Sequence, residues 1–275
     1  MQVVVRPRSP ALAPFVSSLG YFEGQFPHVR ERALPTGTMQ LLVNLDADVF
    51  HSYDASGSGG QCTVGAALQG PSSRPAVIDP AEQRAVLWVA FRPGGAYPFF
   101  PPPSEESRDL LVGLDALWGR DGAVLRERLL AAPTPLAKLC TLESVLLARA
   151  HRPLDPDPAV VFAATALRRG HPVAEVSDSL GWTTRRLSRR FADQVGLTPK
   201  RFARVGRFQR LIASITAGPV DWAQRAVECG YHDQAHMIHD FRDFSGLRPT
   251  QYAPRSPAER NHVPISTIQA ATAGR

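Results

Sequence analysis

Four arginines stand within six residues of one another in the last third of the chain: Arg185, Arg186, Arg189 and Arg190. Burying unpaired guanidinium groups would cost several kcal/mol each, so these side chains must lie on the surface. There a guanidinium can donate two parallel hydrogen bonds to guanine or neutralise a phosphate. The alternative is a set of surface salt bridges to Asp193 and to acidic residues of the preceding helix. Because four arginines outnumber the single acid of their own helix, the pattern favours polyanion binding.

The residues before and within this cluster predict two short helices joined by a sharp turn. Apolar residues at helical spacing indicate a first helix over 172–180, and Gly181 can adopt the positive φ that ends it. Thr183 is a favourable N-cap for a second helix over 184–194. Two such helices, the second with exposed arginines, form the helix-turn-helix pattern that places a helix in the major groove of DNA.

The same pattern recurs fifty residues further along the chain. Residues 191–202 and 241–252 share the pattern Phe-x-Asp-x-x-Gly-Leu-x-Pro-x-x-aromatic, which indicates one supersecondary unit used twice. In the second unit Asp221 precedes a first helix whose predicted apolar stripe is Trp222, Ala226 and Val227, and Asp233 caps the second helix. A long helix over 199–217 is predicted to connect the two units.

Helix geometry divides the polar residues into two predicted roles. Arg185, Ser188 and Arg189 share one stripe and are predicted to contact bases. In the second unit Gln234, His236 and His239 are predicted to face outward toward bases, although that helix could instead position the domain on phosphates. The residues predicted to contact the DNA backbone are Thr183, Thr184, Arg186, Arg190, Thr198, Lys200, Arg201, Arg204 and Thr250. No acid or Cys completes a metal site around these histidines, and we predict neither a metal nor a cofactor.

Charge and proline content divide the chain into parts. Residues 159–253 hold 14 Lys and Arg against 8 Asp and Glu, whereas residues 1–158 hold 14 against 16. The segment HRPLDPDP over 151–158 cannot continue a helix and predicts an extended linker. We therefore expect a separate N-terminal domain over 1–150, a DNA-binding domain over 159–253 and a disordered tail over 254–275. No stretch is long and apolar enough for a membrane span, and the three scattered cysteines suit the cytoplasm.

The N-terminal part has short β-branched and aromatic runs that predict a mostly antiparallel sheet, followed by two helices within 122–150. The fold class is thus α+β, with an all-α C-terminal domain. We expect the aromatic residues Trp88, Phe91, Tyr97, Phe99 and Phe100 to pack in the core, and His28 and His51 to lie at the surface or in turns. Cys62 and Cys140 are expected to be buried, and we predict no enzyme. The alternative is a DNA repair or modifying enzyme with one of these thiols as nucleophile.

The two repeated segments resemble the DNA-binding domain of AraC/XylS-type transcriptional regulators. The resemblance rests on GWTTRRLSRRFADQVGLTPKRF and GYHDQAHMIHDFRDFSGLRPTQY, including a second turn that is longer by one residue. The resemblance implies base contacts from the six side chains already predicted to make them, namely Arg185, Ser188, Arg189, Gln234, His236 and His239. His239 departs from the pattern, since related sequences often carry Arg there.

The segments LPTGTMQLLVNL, FRPGGAYPFF and LDALWG resemble the N-terminal domain of a subgroup of these regulators with an uncharacterised sensor. Thr36 stands where an acidic residue is common in that subgroup. The resemblance implies double-stranded DNA as a partner and a small-molecule effector or self-association, with RNA polymerase and a homodimer left open. The operator, the effector and the choice between activation and repression do not follow from the sequence.

Overall fold

The chain folds into eleven β-strands and nine α-helices within the part that the computed structural model describes, which is residues 1–215, 218 and 220–265. The strands are β1 (Gln2–Val5), β2 (Val16–Glu23), β3 (Glu31–Ala33), β4 (Gln40–Asn44), β5 (Val49–Tyr53), β6 (Gln61–Val64), β7 (Ala66–Gln69), β8 (Ala76–Ile78), β9 (Ala85–Phe91), β10 (Leu111–Gly113) and β11 (His262–Pro264). No helix among the described residues is both long and apolar enough to cross a bilayer.

Two antiparallel sheets form the N-terminal domain, as its short β-branched and aromatic runs predicted. The six-stranded sheet has the order β1-β2-β9-β4-β7-β10, and the five-stranded sheet has the order β11-β3-β8-β5-β6. In β9 the residues Leu87, Val89 and Phe91 are buried at every second position, because alternate side chains of a strand point to the same face. This face belongs to the main core of the domain.

Three helices pack on that core: α1 (Leu114–Trp118), α2 (Arg120–Ala131) and α3 (Pro135–Ala148). Thr134 caps α3 by accepting a hydrogen bond from the amide of Ala137, and the Lys138 ammonium donates to the carbonyl oxygens at the end of α2. The two helices predicted within 122–150 therefore correspond to α2 and α3. Their leucines close the core from one side of the sheet.

The C-terminal domain contains the remaining helices: α4 (Pro158–Arg169), α5 (Val173–Ser179), α6 (Thr184–Val195), α7 (Pro199–Ser214), α8 (Trp222–Glu228) and α9 (Gln234–Ser245). The N-caps Thr183, Asp221 and Asp233 each accept backbone hydrogen bonds at the positions the sequence predicted. The predicted end of α7 at residue 217 lies outside the described residues. One apolar cluster holds α4 to α6 with the start of α7, and a second holds the rest of α7 with α8 and α9.

Residues 151–157 form neither helix nor strand, yet they make hydrogen bonds or ion pairs with both domains. The Arg152 guanidinium donates to the carbonyl oxygens of Tyr97 and Phe100 at 2.7 and 2.6 Å. Asp157 caps α4 and forms an ion pair with Arg190 of α6 at 2.8 Å. The segment is therefore anchored at both ends of its path between the domains.

The two domains also contact each other directly. The Tyr97 hydroxyl donates to Asp193 at 3.0 Å, and the Ser104 hydroxyl donates to the carbonyl oxygen of Gln194 at 2.8 Å. Gly196 ends α6 with a φ of +84°, and a Cβ there would lie 2.4 Å from Pro71. A side chain at this position would have to push the N-terminal domain away from α6. The close approach therefore requires glycine for both its conformation and its size.

The prediction of a disordered tail from residue 254 is wrong for the part that the structure describes. Residues His262–Pro264 form β11 and pair antiparallel with β3, and Val263 is buried in the core of the C-terminal domain. Only one buried apolar residue anchors this strand, which is why the tail shows no periodic pattern. Residues 266–275 lie outside the described residues.

The stability contributed by Glu31 should depend on pH. Burial opposes its ionisation, but His262, His28 and Arg255 outweigh burial and lower the pKa of Glu31 from 4.5 to about 2. Since the folded-state pKa is depressed, this stability is complete above about pH 4.5 and is lost as the pH falls toward 2. Its size is on the order of 3 kcal/mol. We expect urea unfolding to show a difference between the wild type and Glu31→Gln that shrinks from about pH 7 to about pH 3. A constant difference would contradict this.

Candidate nucleic-acid interface

Helix α6 presents the arginine cluster because its opposite face is fixed in the core. Leu187 and Phe191 are buried, and the turn before the helix contains Gly181 with a φ of +62°. The Thr183 hydroxyl accepts from the amide of Arg186 at 3.2 Å and so sets the first turn. The helix therefore leaves its polar face to solvent.

All four predicted arginines of α6 are exposed, but their surroundings differ. Arg190 forms the ion pair with Asp157, which raises its pKa, whereas Arg186 stacks on the ring of Trp182 at 4.4 Å. Within the described part of the chain no carboxylate forms an ion pair with Arg185 or Arg189. The alternative in which Asp193, Asp178 and Glu175 neutralise the cluster does not occur, since Asp193 accepts from Tyr97 and Glu175 lies near His171. The acid that does pair with this cluster among the described residues is Asp157, which the sequence analysis did not name as a partner.

The stripe predicted to contact bases is thus open to a ligand. Arg185 and Arg189 are exposed and Ser188 is half-buried between them. Thr183 and Thr184 are exposed at the start of the helix, where backbone amides and the helix dipole favour an anion. The arrangement allows two guanidinium groups to enter a groove while the hydroxyls stay near the phosphates.

Helix α9 of the second unit presents a much less charged surface. Gln234 and His239 are exposed, in agreement with their predicted outward direction. His236 differs: it is half-buried, its ring packs edge-on against Tyr231 at 5.3 Å, and its Nε2 lies 3.9 Å from Asp240. An aromatic ring and a buried acid thus restrain the His236 side chain, but it is still 37% exposed, and its predicted base contact stays a prediction. Val227 of α8, predicted to be part of an apolar stripe, is 68% exposed.

Helix α7 carries arginines that the sequence assigned to the DNA backbone, and the structure gives them partners inside the protein. Arg204 pairs with the buried Asp240 at 2.6 Å and with Asp243 at 2.9 Å, and Arg207 pairs with Asp240 at 3.2 Å. Burial opposes the charge of Arg204, yet the two carboxylates raise its pKa above the ordinary value. The charge of Arg204 is therefore compensated within the domain, and the predicted contact with the DNA backbone would have to compete with these ion pairs.

Arg201, the other predicted backbone contact on α7, links three elements. Its guanidinium pairs with Asp243 at 3.0 Å and donates to the carbonyl oxygen of Ser73 in the N-terminal domain at 2.5 Å. In this arrangement it is not available to a phosphate. Asp240 and Asp243, which position these arginines, are the residues that sequence reasoning missed. The available signal was their spacing of three residues on α9, opposite a helix with four arginines at intervals of three residues.

The remaining residues predicted to contact the backbone stay accessible. Thr198 caps α7 and is exposed, as are Lys200 beside it and Thr250 after the second unit. The chain near Thr250 forms a single 3-10 turn (Pro249–Gln251). The element that follows the first unit, α7, thus offers a full helix N-terminus to an anion, whereas the turn that follows the second unit does not.

The thiols and histidines of the N-terminal domain lie apart from this surface. Cys62 is exposed on β6, so its predicted burial is wrong, and Cys140 is half-buried with its Sγ 3.2 Å from the Arg8 guanidinium. His28 and His51 pair with Glu31 and Glu82 at 2.8 and 2.6 Å. Over residues 1–215, 218 and 220–265 no group of three or more His, Cys, Asp or Glu side chains could hold a metal ion.

A cavity of about 1180 Å³ opens in the N-terminal domain and is lined by both sheets. Phe22 and Trp88 come from the six-stranded sheet and Phe50 from the other. Trp88 is therefore half-buried at a cavity, whereas Phe91, Phe99 and Phe100 are buried in the predicted core. The indole lies over Gly20, where a Cβ would be only 2.1 Å from the ring. Arg242 and Asp243 of α9 also line the cavity.

Two capped helix pairs on a shared connecting helix define a DNA-binding module of the helix-turn-helix class. Residues 176–255 match the sequence family described as a helix-turn-helix domain, and residues 5–112 match a family described as a domain of unknown function, DUF6597. Over 53 residues the chain is 40% identical to the HTH-type transcriptional regulator GadX of Escherichia coli O6:H1, and likewise to that of Escherichia coli O127:H6. The match covers 19% of this chain and 19% of GadX.

Among solved structures the fold is similar to ToxT from Vibrio cholerae, with 12% identity and a TM-score of 0.45 over 85% of this chain and 96% of ToxT. A ToxT structure with bound unsaturated fatty acid gives 11% identity and a TM-score of 0.44 over 91% and 94% of the two chains. The helix-turn-helix match runs from within α5 to beyond α9. Residues 176–255 therefore match a helix-turn-helix domain, in agreement with the two helix-turn-helix units that the repeated motifs predicted.

Proposed function

We propose that the chain is a sequence-specific, DNA-binding transcription regulator of the AraC type. The observation that carries this proposal is the exposed stripe of Arg185 and Arg189 on a capped helix whose other face is locked in the core. Such a stripe can donate paired hydrogen bonds to guanine in the major groove. Because the ligand is chromosomal DNA, we place the protein in the cytoplasm of a bacterial cell.

The proposed roles follow the exposure of each side chain. We assign base contacts to Arg185, Ser188 and Arg189 in the first unit and to Gln234 and His239 in the second. Phosphate contacts fall to flanking residues that remain accessible, namely Thr183, Thr184, Arg186, Thr198, Lys200 and Thr250, with a smaller share for Arg190. The first unit supplies most of the charge, so it should dominate affinity.

Selection of bound sequences from a random oligonucleotide pool tests this function. If both recognition helices enter the major groove on one face of the duplex, the recovered sites should contain two conserved blocks about 10 bp apart. Binding should weaken steeply with salt because phosphate contacts release counterions. Recovery of no common sequence, even at low salt, would contradict sequence-specific regulation.

We further propose that the cavity binds a small-molecule effector. Its aromatic wall of Phe22, Phe50 and Trp88, together with polar residues such as Gln40, gives the mixture of apolar surface and a few polar groups that ligand sites share. Because α9 contributes to the cavity wall, an occupant would contact the second helix-turn-helix unit directly. This contact offers a route from ligand to DNA binding.

Replacing Gly20 with alanine should abolish ligand stabilisation, because a Cβ at this position forces the Trp88 indole toward the cavity. In a thermal-shift screen of a metabolite library, a ligand at about 100 times its Kd should stabilise the wild type by about 2.7 kcal/mol. The Gly20→Ala variant should lose this shift, while the exposed-site control Val227→Ala should retain it. Equal shifts in Gly20→Ala and the wild type would place the ligand elsewhere.

Self-association is the second mode of regulation that we propose for the N-terminal domain. Three leucines of α2 and α3 are exposed, namely Leu130, Leu136 and Leu147. Exposed apolar side chains on adjacent helices are typical of an association surface. A homodimer through this surface would let two DNA-binding domains occupy neighbouring sites. Recruitment of RNA polymerase is a separate proposal, which would follow from a regulator's position at a promoter.

A further inference from the structure

The chain returns to the sensory domain after the second helix-turn-helix unit. Residues 255–265, here called the strap, leave the 3-10 turn that follows α9 and end as β11 at the edge of the five-stranded sheet. The strap therefore contacts a domain that precedes it by more than two hundred residues. Its contacts fall into three groups, which involve the sensory sheet, the DNA-binding core and the cavity.

The contact with the sheet centres on a buried carboxylate. Glu31 of β3 is 1% exposed and accepts hydrogen bonds from Arg255 at 3.0 Å and from His262 at 2.7 Å, both in the strap. His28 lies on its other side at 2.8 Å. Arg255 also lies over the ring of Phe26 at 4.0 Å. Glu31 is thus the charged anchor that holds both ends of the strap on the sheet, beside the backbone pairing of β11 with β3.

The contact with the DNA-binding domain is made by the middle and the end of the strap. Val263 is buried among the apolar residues of α7 to α9. The side chain of Gln209 on α7 donates to Asn261 of the strap at 2.8 Å and to the carbonyl oxygen of Pro35 in the sensory domain at 2.7 Å. The hydroxyl of Tyr252 donates to the carbonyl oxygen of Arg260. The strap is therefore part of the hydrophobic core that supports the second unit.

The third group of contacts connects the strap to the cavity. The strap residues that line it are Arg255, Ala258, Glu259, Arg260, Asn261 and His262. Arg242 and Asp243 of α9 line the same cavity. Asp243 also holds Arg201, whose guanidinium donates to the carbonyl oxygen of Ser73 in the sensory domain. The cavity, the strap and the second unit thus share a continuous set of side chains.

We infer that the strap is a latch that holds the second helix-turn-helix unit on the sensory domain and is released when the cavity is filled. This inference rests on the proposed function for its effect on DNA binding. An occupant that displaces Arg255 and His262 from Glu31 removes the polar anchor of the strap. The second unit then detaches from the sheet, and Arg201 leaves Ser73, so that only its ion pair with the exposed Asp243 still competes with a phosphate for the guanidinium.

Hydrogen exchange of the full-length protein without DNA tests the latch directly. We compare the wild type with Glu31→Gln, which removes the charged anchor, and with His262→Ala, which removes one strap contact and keeps Glu31. Amides of the strap and of α9 should exchange about tenfold faster in both variants, whereas amides of α6 should not change. The matched control is Glu143→Gln, another buried carboxylate of the sensory domain, which accepts from the amides of Arg8 and Ser9 far from the strap.

DNA-binding measurements on the same four proteins then test the latch separately from the proposed function. For Glu31→Gln and His262→Ala, the slope of log affinity against log salt concentration should be steeper than for the wild type and for Glu143→Gln. The difference should correspond to about one additional phosphate contact. Uniformly faster exchange, or unchanged exchange in α9, overturns the latch. Faster exchange in α9 with an unchanged salt dependence overturns its regulatory role. If none of the proteins binds DNA, the proposed function fails while the exchange result still decides the latch.

Discussion

The Arg189→Ala variant is expected to bind the preferred DNA site more weakly by about 1–3 kcal/mol and to lose discrimination at one base position. The reason is geometric: Arg189 is exposed on the polar face of α6, one turn after Arg185, and no ion pair within the described residues holds it. A guanidinium that reads guanine through two hydrogen bonds cannot be replaced by water without losing specificity. Fluorescence anisotropy with the selected site and with its single-base variants measures both effects.

Arg186→Ala is the matched control, since Arg186 has the same charge on the same helix but stacks on Trp182 beside the stripe. Its loss should weaken binding to all sequences alike and reduce the salt slope by about one. If Arg189→Ala also weakens all sequences uniformly, Arg189 contacts the backbone and the base-reading role moves to Arg185. If neither variant changes binding, α6 is not the recognition helix.

Local signals in the sequence predicted most of the C-terminal domain. The caps Thr183, Asp221 and Asp233 and the turn at Gly181 act over three or four residues, so their roles can be read without knowledge of the fold. The same holds for the short β-branched and aromatic runs that predicted an antiparallel sheet. The exposure of Arg185 and Arg189 followed from the cost of burying charge, which does not depend on topology either.

Predictions failed where a contact joins distant parts of the chain. Arg204 looked like a phosphate contact, and only the packing of α7 on α9 brings Asp240 beside it, thirty-six residues later. The tail looked disordered because its docking rests on one buried valine and one distant carboxylate. Trp88 looked like a core residue, but the missing Cβ of Gly20 on the neighbouring strand makes room for its ring beside the cavity. Such pairings have no local signature.

The largest expected effect on stability is that of Asp240→Asn. Asp240 is 1% exposed and forms ion pairs with Arg204 and Arg207, so the substitution leaves two guanidinium groups around a neutral amide. Removal of one partner from a buried ion pair typically costs about 3–5 kcal/mol, because the remaining charge is desolvated and uncompensated. Burial, with a smaller contribution from the nearby Asp240, also raises the pKa of Tyr231 in this cluster. Urea unfolding followed by circular dichroism measures the loss.

Asp243→Asn provides the comparison, since Asp243 pairs with Arg201 and Arg204 but its side chain is 37% exposed. An exposed ion pair is worth about 1 kcal/mol or less, so this variant should lose far less stability than Asp240→Asn. The contrast matters for function because the same cluster fixes α9 on α7 and thereby the position of one recognition helix relative to the other. If both variants lose equally little, the aromatic packing of Phe208 on Phe241 and Phe244 must hold the second unit without help from the ion pairs.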